Sequence, residues 1–91
     1  MRHPFLEQTY LDIGMFNRSM KRFGEGLMMW KKLETLQQDI YGENSYNLVF
    51  TTRNIGACYL GLGQTENALK NFERALELLE GSEVDHENEE I

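Results

Sequence analysis

The chain has 91 residues, of which 41% are hydrophobic and 26% charged, a size and composition typical of one small globular domain rather than a large multidomain enzyme. Nine acidic and nine basic residues balance over positions 1–79, so the formal charge of −6 comes from six acids within residues 80–91. That balance argues against nucleic-acid binding, which favours clustered positive charge. No run approaches the roughly 20 apolar residues of a membrane span, and no signal peptide follows the first methionine. We therefore expect a cytoplasmic protein without a membrane partner.

The residues that usually hold metals or form disulfides are scarce. Cys58 is the single cysteine, so an intramolecular disulfide is excluded, and His3 and His86 are far apart in the sequence. One cysteine and two distant histidines do not make a structural zinc site. We expect no metal and no cofactor, and a fold stabilised by packing.

Apolar residues recur at spacings of three and four with no sustained alternation, which predicts an all-helical chain. The first helix is expected to begin near Pro4 and to reach about Arg22 before a break at Phe23-Gly24. The apolar residues at helical spacing along it are Leu6, Tyr10, Ile13, Phe16 and Met20.

Three further helices are predicted. The second spans about Glu25 to Tyr41 and stops at Gly42, while the third is capped by Asn44 or Ser45 and runs to Gly61-Leu62-Gly63. The fourth opens near Thr65 and ends at Glu80, before Gly81-Ser82. Connections this short make successive helices antiparallel neighbours, so we expect two helical hairpins.

The chain resembles itself after a shift of 42 residues, which places equivalent residues on the two hairpins. The matched pairs are Leu6 with Leu48, Ile13 with Ile55, Gly14 with Gly56, Leu27 with Leu69, and Trp30 with Phe72. A period in this range with two helices per unit indicates a solenoid.

The second copy carries a known pattern. The run Ile55-Gly56-Ala57-Cys58-Tyr59-Leu60-Gly61-Leu62-Gly63, followed by Ala68, Phe72 and Ala75, resembles the tetratricopeptide repeat. Small residues at Gly56 and Ala68 allow two helices to approach, and Tyr59 and Phe72 fill the space beside them. The resemblance implies a right-handed α-solenoid of antiparallel helix hairpins, with about two repeats and four helices.

The first copy is divergent. Gly14, Gly26 and Trp30 occupy the small, small and aromatic places, but Asn17 stands for the tyrosine and Leu33 for the small alanine. The 42-residue period and the turn at 41–45 resemble the kinesin-light-chain variant of the family. We expect a divergent repeat over 4–42, a second repeat over 43–82, and an acidic tail or the start of a third repeat over 83–91.

No group of residues suggests catalysis, and the resemblance implies a non-enzymatic module that binds a peptide or helix of a partner protein on its concave face. Carried over by repeat position, the expected peptide-binding residues are Gln8, Leu11, Asp12, Met15, Arg18, Arg53, Asn54 and Ala57. The expected repeat core is Gly14, Gly26, Trp30, Gly56, Tyr59, Ala68, Phe72 and Ala75.

Two alternatives stay open. Arg53 on a helix surface also fits a plain ion pair with a neighbouring acid, worth about 0–1 kcal/mol. The chain also fits an architectural role, as a solenoid segment of a larger cytoskeletal or ciliary/axonemal assembly, in contact with further repeats of the same chain or with a complex. In that case we expect association with the cytoskeleton.

Overall fold

The computed structural model describes residues 4–89, with side chains over residues 5–82, and every regular element in this part of the chain is helical. The elements are α1 (Pro4–Ser19), α2 (Phe23–Tyr41), a short 3₁₀ helix (Tyr46–Leu48), α3 (Val49–Gly61) and α4 (Thr65–Glu89). Helix α2 packs against both α1 and α3, and α3 packs against α4. The chain therefore forms two stacked antiparallel hairpins, which confirms the predicted all-α solenoid. No helix in the described part is long and apolar enough to cross a membrane.

The main core lies between the two hairpins. Trp30 and Leu33 of α2 pack with Ile55 and Cys58 of α3, and all four are buried. Partly buried residues of both hairpins surround this cluster: Tyr10, Leu11, Phe23, Leu27 and Tyr59. Since burial of apolar surface is the main stabilising term in folding, the joint between the hairpins contributes a large part of the stability.

Each hairpin closes on a glycine of its first helix and an aromatic ring of its second. A Cβ atom added to Gly14 would lie 2.8 Å from Cε2 of Trp30. One added to Gly56 would lie 2.8 Å from Cε1 of Phe72 and 3.2 Å from the carbonyl oxygen of Ala68. The 42-residue shift in the sequence thus recurs in space as the same contact made twice.

The predicted break at Phe23-Gly24 is wrong, because the turn between α1 and α2 comes earlier. Lys21 takes the left-handed conformation, with φ +60°, which glycine adopts more readily than other residues. The Arg22 amide donates to the Asn17 carbonyl at 2.8 Å, which closes the turn. Phe23 belongs to α2 because its ring lies directly over Gly61 of α3, and this packing outweighs the local glycine signal.

The apolar residues along the first helix are only partly buried. Ile13, Phe16 and Met20 are exposed, whereas Gly14 is buried. The buried side of α1 faces mainly α2, and Arg18 adds a hydrogen bond to Asn54 of α3. Since no described helix precedes α1, nothing in the described part covers its opposite side.

The predicted end of the fourth helix at Glu80 is also wrong, because α4 continues to Glu89. A glycine inside a helix costs about 1 kcal/mol relative to alanine, which does not by itself end a helix. The other glycine signals hold: α2 ends before Gly42 at φ +94°, and Gly63 at φ +79° follows α3. The predicted tail or third repeat at 83–91 lies outside the described side chains.

Candidate functional site

Helices α1 and α3 are tied together by Arg18 and Asn54. Nη1 of Arg18 donates to Oδ1 of Asn54 at 2.9 Å, and Nδ2 of Asn54 donates to the carbonyl oxygen of Phe50 at 2.9 Å. Asn54 is buried, with 2% of its surface exposed. The Asn54 amide is therefore buried between the two helices. The repeat pattern had instead predicted that Asn54 contacts a ligand.

Arg53 lies on the exposed side of α3, next to an aromatic ring. Its guanidinium carbon is 5.8 Å from the centroid of the Phe50 ring, within the range of a cation–π interaction. The Phe50 ring in turn meets Trp30 edge-on, with centroids 5.8 Å apart and an interplanar angle of 70°. An open pocket of about 320 Å³ borders Arg53 and is lined by Tyr46, Asn47, Val49, Phe50 and Arg53. The Arg53 charge is thereby positioned and accessible.

The α1 side of this surface is more polar. Gln8 donates to Asp12 at 2.9 Å, and both side chains are exposed. Met15, Arg18 and Ser19 line a shallow pocket of about 250 Å³. Met15 is 42% exposed and suits adaptable apolar contact.

The structure sorts the remaining candidate residues. Leu11 packs against the core cluster and Ala57 is half-buried, so neither projects freely from the surface. Arg18 is hydrogen-bonded to Asn54 across the two helices, and Gln8 is hydrogen-bonded to Asp12 along α1.

Phe50 is the residue that the sequence reasoning missed. The Phe50 ring lies against the Arg53 guanidinium and meets Trp30 of the core edge-on. The Phe50 carbonyl oxygen accepts a hydrogen bond from the Asn54 side chain. Its spacing of three residues from Arg53 was the available signal, because residues three apart on a helix are surface neighbours.

Two ionisable groups near the joint are perturbed by burial. Burial raises the pKa of the Glu34 carboxyl, and the positive charges of Lys31 and Arg74 oppose the shift. Burial also raises the pKa of the Cys58 thiol against the charge of Arg18, so Cys58 stays protonated at neutral pH. Within the described residues, no group of histidine, cysteine and acidic side chains could hold a metal ion. The surface formed by α1 and α3 therefore carries the guanidinium groups of Arg18 and Arg53, the carboxylate of Asp12, and apolar side chains such as Met15 and Phe50.

A family model described as tetratricopeptide repeat matches residues 5–81 of the chain. The match begins in α1 and ends in α4, so it covers both hairpins. No significant match was found among curated proteins or among solved structures.

Proposed function

Because the chain belongs to the tetratricopeptide repeat family, whose non-catalytic repeats generally mediate protein–protein interactions, we propose that it binds a peptide or a helix of a partner protein in the groove between α1 and α3. This groove is defined by Met15 and Arg18 of α1 and by Phe50 and Arg53 of α3. The observation that supports the proposal most directly is Arg53, held over Phe50 beside an open pocket.

The side chains of the groove favour a partner segment of mixed charge. A guanidinium group binds a carboxylate through two parallel hydrogen bonds, and both Arg18 and Arg53 carry one. Phe50 and Met15 supply apolar contact for a neighbouring hydrophobic residue. Asp12 is exposed on α1 and would repel a purely acidic segment. The proposed ligand therefore contains an acidic residue, an apolar residue and a basic residue.

Charge reversal at Arg53 tests the groove. Peptides are selected from a displayed library of mixed-charge sequences with the unmodified chain, and their affinity is then measured for Arg53→Glu. Loss of a charge-assisted hydrogen bond should weaken binding by about tenfold or more. Lys70→Glu makes the same change in charge at an exposed position of α4 and should bind like the unmodified chain. Equal affinities for the two variants would contradict the groove.

A second candidate function is architectural, a segment of a solenoid within a larger cytoskeletal or ciliary assembly. Exposed apolar residues at the two ends of the stack favour it, namely Ile13 and Phe16 on α1 and Leu69 and Leu76 on α4. In this case Arg53→Glu leaves incorporation into the assembly intact, whereas substitutions at the stack ends abolish it.

The finer family placement is part of the same proposal. We propose a kinesin-light-chain-like subtype, with repeats over 4–42 and 43–82, an acidic tail or third repeat over 83–91, and a cytoplasmic location. The 42-residue period and the matched contacts of Gly14 and Gly56 support the repeat bounds. Imaging of the tagged chain in cells tests the location.

A further inference from the structure

The two hairpins meet through different faces. The first hairpin contributes α2, from which Nζ of Lys31 lies 5.4 Å from the Tyr59 ring centroid and Gln37 accepts a hydrogen bond from Thr51. The second hairpin contributes the side of α3 that carries Thr51, Ile55 and Cys58. We call the side of a hairpin's second helix that packs on the next hairpin its trailing face. We call the side of a hairpin's first helix that packs on the preceding hairpin its leading face. The internal joint is thus a trailing face against a leading face.

The leading face of the first hairpin has no such cover within the described residues. Subtracting 42 from Thr51, Ile55 and Cys58 gives Thr9, Ile13 and Phe16 on α1. Ile13 is 39% exposed where Ile55 is 1% exposed, and Phe16 is 57% exposed where Cys58 is fully buried. The first hairpin thus carries apolar side chains at Ile13 and Phe16, and both are exposed to solvent.

The trailing face of the second hairpin is open in the same way. On the first hairpin, Leu27 packs against the cluster that spans the joint, and Glu34 is half-buried. Adding 42 gives Leu69 and Leu76 on α4, which are 57% and 55% exposed. Leu76 stands where the first hairpin has Glu34, so at this position α4 carries an apolar side chain in place of a carboxylate.

We propose that the trailing face of one copy binds the leading face of a second copy, so that the contact between α2 and α3 is repeated between molecules as a contact between α4 and α1. The chain carries both halves of this contact, exposed at opposite ends of the stack. Apolar patches of this kind on a small protein mark interaction sites. An interface between two different faces is heterologous, and one that does not close into a ring grows by addition of copies.

The intermolecular contact differs from the internal one in its polar part. Arg18 and Asn54 form a hydrogen bond across the internal joint, and their counterparts by repeat position are Leu60 and Asp12. This pair does not form a hydrogen bond. Burial of Leu69, Leu76, Ile13 and Phe16 therefore drives the association, and groove residues such as Arg53 take no part in it.

Sedimentation velocity over a range of concentrations tests the proposal on the 91-residue chain. We expect the average mass of the unmodified chain to rise with concentration. Leu76→Glu removes the trailing face and Phe16→Glu the leading face, both at exposed positions that the fold tolerates. Each variant alone should stay monomeric. Mixed in equal amounts, each retains the face that the other lacks, so the mixture should form a dimer and stop there.

Matched variants separate this association from other causes. Met28→Glu places the same charge at an exposed position of α2 outside both faces, and it should associate like the unmodified chain, as should Arg53→Glu. The proposal is overturned if the unmodified chain stays monomeric at all concentrations. It is also overturned if Phe16→Glu associates as the unmodified chain does, or if the mixture of the two face variants remains monomeric while the unmodified chain associates.

Discussion

Gly56 lies at the tight crossing of the second hairpin and leaves too little room for a side chain. Alanine in a helix is normally favoured over glycine by about 1 kcal/mol. At Gly56 the added Cβ would lie 2.8 Å from Phe72 and 3.2 Å from the carbonyl oxygen of Ala68, and the second of these is backbone. We therefore expect Gly56→Ala to lower the free energy of unfolding by about 1–3 kcal/mol, measured by urea unfolding followed by circular dichroism.

Gly24→Ala is the matched control, because Gly24 lies in α2 with no atom within 4 Å of the added Cβ. This substitution should leave the free energy of unfolding unchanged or raise it. If Gly56→Ala proved as stable as Gly24→Ala, the close approach of α3 and α4 would be wrong.

At this scale the sequence predicted residue types better than residue roles. Asn54 was identified from its place in the repeat, but it is buried and accepts a hydrogen bond from Arg18, which lies 36 positions earlier in the chain. Leu11 was expected in the groove by the same logic, and in the structure it is half-buried and packs against the core cluster. Whether such a residue is exposed or buried depends on contacts between helices. These contacts join residues far apart in the chain, so the local sequence does not reveal them.

Three helices are joined by one buried amide. Nε2 of Gln37 in α2 donates to Glu7 of α1 at 3.0 Å, and Oε1 of Gln37 accepts from the Thr51 hydroxyl of α3. Gln37 and Thr51 are both buried, so removal of the Thr51 hydroxyl leaves Oε1 of Gln37 without its hydrogen-bond donor, and removal of the Gln37 amide leaves the Thr51 hydroxyl without its acceptor. Such an orphaned buried group costs about 1–3 kcal/mol.

A double-mutant cycle measures this link between elements. We expect Gln37→Leu and Thr51→Val each to destabilise the chain by about 1–3 kcal/mol, and the double variant to lose less than the sum, because it leaves neither group of the pair orphaned. Urea unfolding of the four proteins gives the coupling energy. Additive losses would show that the two side chains do not depend on each other, contrary to the hydrogen bond in the structure.

For whole elements, periodicity was a reliable guide to existence and less reliable for bounds. The helices were predicted because apolar spacing and short connections agree along the chain. The errors came where local signals were outweighed: Lys21 took the left-handed turn position, Phe23 was drawn into α2 by its contact with Gly61, and Gly81 did not end α4. In each case packing or helix continuity exceeded a preference of about 1 kcal/mol.

For the molecule as a whole, the decisive feature is that the largest buried cluster belongs to neither hairpin alone. Trp30 and Leu33 come from the first hairpin, and Ile55 and Cys58 from the second. In a solenoid, stability is approximately the sum of repeat terms and terms for the joints between neighbours. With a single joint described, separation of the hairpins exposes this cluster on both sides, so neither hairpin is expected to persist without the other.

The one tryptophan of the chain makes this expectation measurable, because Trp30 lies fully buried in the joint. We expect urea unfolding followed by Trp30 fluorescence to coincide with unfolding followed by circular dichroism, since loss of the joint and loss of the helices are one transition. The Leu76→Glu variant at low concentration is the appropriate protein, because that substitution removes the trailing face and so keeps association out of the measurement. A fluorescence transition at clearly lower urea than the helical one would mean that the hairpins separate first and remain folded. In that event the joint would be a weak contact between independent units, and the argument that the same joint recurs between copies would lose its physical basis.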